Sequence, residues 1–175
     1  MAIAIGSAPA KEPMRITFKD AFGETIVKTS TLGGTIDDTH ILQIATDLSV
    51  LTNAEFLSMT VNERVVTGLP ASATDAVFPT VNNLAEITFS QVDPLNAAKT
   101  IYRSFLIPAA VNAIFNLDKT LNVGTPGTDT LPNQLARLIA NLENYLVLVD
   151  HAGTVHTGGW TFEPSKSGLV TIPSA

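Results

Sequence analysis

The chain contains no cysteine. Disulfide staples, thiolate nucleophiles and cysteine-ligated zinc are therefore excluded, and the core must hold without covalent help. Charge is scarce as well: Asp, Glu, Lys and Arg make up 15% of the 175 residues, against about 25% in an average soluble domain. A surface so poor in charge is either dressed in Thr, Ser and Asn or buried against other subunits. No run of Lys or Arg occurs and the formal net charge is −6. There is thus no electrostatic footprint for tight binding to nucleic-acid phosphates. No stretch approaches the roughly 20 apolar residues of a membrane span. The opening MAIAIGSAPAKEP lacks the basic start and the apolar run of a signal peptide. It reads as an extended arm, residues 1–13, on a chain made in a cytoplasm.

Catalytic framing is also missing. No G-x-S-x-G elbow presents a nucleophile. Asp150, His151 and His156 could ligate a metal, but their spacing fits neither a helix face nor a zinc loop, and a solvated turn is the better reading. Asp37, Asp38 and His40 could pair acid with base, yet they stand where a helix N-cap is expected. The glycines of TLGGT (31–35) precede that helix and could hold an anion at its N-terminus. No lysine follows them, and Asp37 and Asp38 would repel the anion. Trp160, after Gly158 and Gly159, reads as a core or interface residue. The expectation is a protein that is not an enzyme and carries no cofactor or metal.

What is present is alternation, and it occurs twice. RITFKD (15–20) returns as EITFSQ (86–91), with Ile16 and Phe18 shifted 71 positions to Ile87 and Phe89. Met14, Ile16 and Phe18 alternate with polar residues as in a half-buried strand. A turn with Gly23 leads to a return strand over 25–32. Ile41, Ile44, Ala45, Leu48 and Leu51 then fall at helical spacing, and 56–66 alternates again. The second half repeats this order. Strands over 84–92 and 99–107 are joined by a turn containing Pro94, a helix is expected over 131–147 with Pro132 in its first turn, and a strand follows around Trp160 and Phe162. Residues 168–172 can add a short edge. The reading is an α+β fold of two internally duplicated ββαβ units, 14–67 and 84–163, within one domain spanning 14–175. The units form antiparallel sheet or sheets with two helices packed on one face.

Such a fused pair offers sheet edges, which are templates for pairing with another chain. Low charge, abundant Thr, Ala and Asn, a duplicated body, an N-terminal arm and a C-terminal tail without charge together give a chain that resembles the small virion structural proteins of bacteriophages: tail-tube, capsid or capsid-decoration subunits. The resemblance implies a self-assembling subunit located in the virion, whose partners are copies of itself and other virion proteins, with no membrane and no tight nucleic-acid binding. The expected assembly contacts are Ile3, Ile5, Pro9 and Pro13 of the arm, with Phe78 and Phe115 of the two long loops. A non-viral extracellular filament or surface-layer subunit is the alternative of the same kind. A small-ligand-binding α+β protein or enzyme is the alternative of another.

Overall fold

In the computed structural model, residues 11–19, 23–52, 54–69, 82–108, 114–157 and 159–172 are described. The first half opens with β1 (Lys11–Lys19), whose alternation buries Met14, Ile16 and Phe18. Gly23, at φ 83°, belongs to the connection back into β2 (Thr25–Gly33), which pairs antiparallel with Ile16 opposite Lys28. Helix α1 (Asp38–Leu51) starts where a carboxylate satisfies its free N–H groups: Asp37 accepts the His40 N–H at 2.9 Å. Its apolar stripe, Ile41, Ile44, Ala45, Leu48 and Leu51, is buried throughout. β3 (Glu55–Val61) then lies along the other side of β1, and β4 (Arg64–Val66) folds back after Asn62 at φ 55°. The sheet order is β2-β1-β3-β4.

The second half repeats these pairings. β5 (Asn82–Asp93) and β6 (Asn96–Pro108) form a hairpin, followed by α2 (Leu131–Tyr145), capped by Thr130. The chain then makes a two-stranded hairpin of β7 (Val147–Val149) and β8 (Val155–Thr157). Finally β9 (Thr161–Phe162) and β10 (Gly168–Ile172) both pair with β5, on the side away from β6. Ile87 and Phe89 point into the core as Ile16 and Phe18 do, all fully buried. Phe18 faces Phe56 of β3 at 5.9 Å and 76°, and Phe89 faces Phe162 of β9 at 6.2 Å and 60°. Edge-to-face pairs of this kind add about 0.5–1.5 kcal/mol to simple burial.

The fold is α+β and antiparallel. Among the described residues no ladder joins the four-stranded sheet of the first half to the β10-β5-β6 sheet. One contiguous core joins both, with α1 beside α2. Three contacts show that the helices run antiparallel. The rings of His40 and Tyr145 lie 5.0 Å apart, Gln43 bonds Asn141 at 3.1 Å, and Asp47 meets the Arg137 guanidinium, whose Nε lies at 2.9 Å. Asp47 is fully buried, and burial raises its carboxyl to about 6 although Arg137 works against the rise.

Several boundaries differ from the sequence reading. The alternation over 56–66 breaks twice. A bulge between Thr17 and Phe18 brings Phe56, not Leu57, opposite Phe18, and the turn at Asn62 separates β3 from β4. Residues 154–164 form two short strands in different sheets, not one strand. The short edge expected over 168–172 is present as β10, paired with β5. The arm does not reach Pro13, because Lys11, Glu12 and Pro13 belong to β1. Glu12 is buried in an ion pair with Arg64, which also reaches Asp38 at 3.0 Å and the Ile36 carbonyl at 3.1 Å. Pro13 fits because the ladder to β3 begins only at Met14, and its carbonyl accepts the Asn62 N–H.

Candidate interaction surface

The polar clusters singled out in the sequence are held mainly by bonds within their own turns, with Asp38 also paired to Arg64. Asp37 spends its carboxylate on α1: Oδ1 takes the His40 N–H and the His40 ring at 2.7 Å. The backbone bond from His40 is the main reason its carboxyl sits below the ordinary range. The helix N-terminus that TLGGT leads into is thus already occupied by its own acid. Asp150 ties the β7–β8 turn. It accepts the N–H groups of Ala152 and Thr154 and lies 2.9 Å from His156 Nε2, the bond that does most to lower its carboxyl. His151 stands exposed beside them. Among the described residues no group of three His, Asp or Glu could hold a metal ion.

The assembly residues expected from the sequence are only partly placed. Ile3, Ile5, Pro9 and Phe78 lie outside the described residues. Pro13 is an exposed residue of β1. Phe115 is half-buried against the core and bridges Leu121 across a short turn, so part of its ring is already used within the subunit.

Two surface features were not foreseen. The first is a groove of about 700 Å³ between the two sheets. One wall is Pro13, Met14 and Arg15 of β1 with Thr29, Ser30 and Thr31 of β2; the other is Arg103, Ser104 and Phe105 of β6, with Leu146 at the junction. Among the described residues β2 and β6 are each the outer strand of their own sheet, and the outer side of β2 is bridged at Leu32. Leu146 bridges Leu32, and Arg103 donates to the Val147 carbonyl at 3.4 Å, which links the two sheets beside the groove. The chain has four arginines. Arg64 and Arg137 are each held by carboxylates. Arg15 and Arg103, the two in the groove, meet no carboxylate among the described residues; Arg103 lies over the Trp160 ring at 5.6 Å.

The second is the tip of the β5–β6 hairpin. β1 ends one residue after Phe18, whereas β5 runs four beyond Phe89, to Asp93. The three additional residues carry the hairpin about 10 Å further at strand rise. Val92 is 58% and Leu95 61% exposed, and every residue from Pro94 to Thr100 is exposed. Apolar side chains on a projecting, two-sided ribbon gain nothing from their own subunit. Only the long spacing of the second hairpin could have hinted at this in the sequence; the groove depends on the distance between sheets and left no local trace.

Searches against known protein families, curated proteins and solved structures return no match for this chain.

Proposed function

We propose that the protein is a self-assembling structural subunit that works through contacts between copies of itself, in the manner of a bacteriophage virion protein of tail tube, capsid or capsid surface. The observation that carries this reading is the projecting β5–β6 tip, whose Val92 and Leu95 are more than half exposed. Large apolar side chains on a protruding ribbon mark a surface meant to be covered. The open outer strands β2 and β6 supply further backbone groups for pairing, and a charge content of 15% leaves few like charges to keep copies apart. On this reading the shared order of elements in the two halves reflects an internal duplication, and the work of the molecule is burial rather than chemistry. An extracellular filament subunit would use the same surfaces.

The test is size-exclusion chromatography with light scattering on the purified chain, over a wide concentration range, with electron microscopy of the leading fractions. Large or closed assemblies are the expected result. A monomer at every concentration would sink the proposal and favour the other class of reading, a small-ligand-binding protein, for which the groove with Arg15 and Arg103 is the natural pocket; its volume lies within the ordinary range for ligand sites, about 300–1,000 Å³.

A further inference from the structure

The groove and the hairpin tip are complementary. Resting on the assembly reading, we propose that the β5–β6 tip of one copy seats in the groove of the next, with Asp93 meeting Arg15 and Arg103 while the groove walls cover Val92 and Leu95.

Charge is the first argument. In a chain of net charge −6, the two arginines without a carboxylate partner among the described residues lie in one groove. A carboxylate is what they lack, and Asp93 stands at the turn of the ribbon. One of its oxygens, Oδ1, accepts the Leu95 N–H at 2.9 Å and fixes the turn, leaving Oδ2 for a guanidinium. Lys99, the basic residue of the ribbon, lies three residues beyond Asn96, where β6 begins, and so is set back from the turn. The second argument is what the tip leaves uncovered. Val92 and Leu95 are the largest apolar side chains exposed on it, and seating them between the two walls of the groove takes them out of water. The third is shape. A slot between two outer strands accepts extended backbone, as in β-strand addition.

The separation of tip and groove bears on the symmetry. Leu95 and Arg103 are eight residues apart in the chain, about 26 Å at strand rise. Tip and groove are thus different patches on one subunit. Exchanged reciprocally, they close a two-fold dimer; passed on from copy to copy, as the assembly reading requires, they generate a ring if the rotation closes or a filament if it does not.

The test uses the full chain with two single charge reversals, Asp93→Arg and Arg15→Asp. Both positions are at the surface, and circular dichroism and thermal melting confirm folding. Each variant alone is expected to lose assembly by tenfold or more in association constant. Mixed one to one, they restore it, because each Asp93→Arg tip then meets the carboxylate introduced at position 15, and each unaltered Asp93 meets a groove that keeps both Arg15 and Arg103. High salt should weaken the wild-type assembly. If wild type assembles and Asp93→Arg assembles equally well, or if the mixture fails to recover, the tip–groove contact is wrong while the assembly reading stands. If wild type stays monomeric at all concentrations, the assembly reading falls first and this contact with it.

Discussion

The two halves of the molecule solve one packing problem in two ways. Each lays a hairpin down, sends a helix away and returns a strand beside the first strand of the hairpin, with a phenylalanine pair across that junction. In the first half the returning strand is β3, seven residues long and interrupted only by a bulge. In the second it is divided into β9 and β10 by a 3-10 turn, Pro164–Lys166. Side chains take over where the ladder stops. Thr88 donates Oγ1 to the Lys166 carbonyl at 2.8 Å, Ser167 Oγ accepts the Thr88 N–H at 2.8 Å, and Ser90 bonds Glu163. The inner face is common to both halves and the outer features are not. The longer tip and the divided strand both lie in the second half.

The largest effects should come from what the halves share. Phe18→Ala and Phe89→Ala remove fully buried rings from equivalent sites, and each should cost about 3–5 kcal/mol. Because one contiguous core joins the sheets, denaturant should unfold wild type and both variants in a single transition followed equally by fluorescence and circular dichroism. Two separate transitions, or a nearly neutral substitution at one site, would break the equivalence.

Next comes the contact between the halves. Arg137→Met leaves Asp47 buried without its partner and should cost about 3–5 kcal/mol, whereas Asp47→Leu combined with Arg137→Met should recover most of the loss. The pH dependence follows from the raised carboxyl of Asp47. Its folded value of about 6 lies above the ordinary 3.8, so between these values the folded state holds the proton more tightly than the unfolded chain. The stabilising contribution is complete below pH 3.8 and is lost as pH rises through about 6. A displacement of this size corresponds to about 3 kcal/mol. Wild type should therefore lose stability relative to Asp47→Asn as pH rises from 4 to 7, measured by urea titration at several pH values. A difference that does not change over this window would mean that Asp47 is ionised throughout.

Much of this was legible in the residues and some was not, for physical reasons. The inward positions of Met14, Ile16, Phe18, Ile87 and Phe89, and the stripes of both helices, follow from periodicity alone, because a buried face must repeat with its element. Asp37 as a cap was legible because the chemistry is local. The bulge at Leu57 was not: alternation continues in the letters while the pairing slips by one, a choice made by Phe18 across the strand. Glu12 and Pro13 read as arm because charge and proline suggest solvent, yet Arg64, 52 positions away, draws Glu12 inward. The groove arises between strands distant in sequence and has no periodic signature at all.

The smallest effect tests the difference between the halves directly. Thr17 and Thr88 are the same letter of the repeated Ile-Thr-Phe. Thr17 is paired on both sides, with Val27 on one and, beside the bulge, with Ser58 on the other. There the backbone carries the pairing, and Thr17→Val keeps a β-branched side chain suited to a strand; its stability should stay within about 0.5 kcal/mol of wild type. Thr88 stands where the ladder is interrupted, and its hydroxyl bonds the Lys166 carbonyl and lies 3.0 Å from Ser104 Oγ. Thr88→Val should cost about 1–2 kcal/mol, because it leaves a part-buried carbonyl unpaired, and hydrogen exchange should quicken in β10 and around Ser167 before it does in β3. Equal costs at the two threonines would mean that the turn at Pro164–Lys166 is held by its own residues rather than by β5.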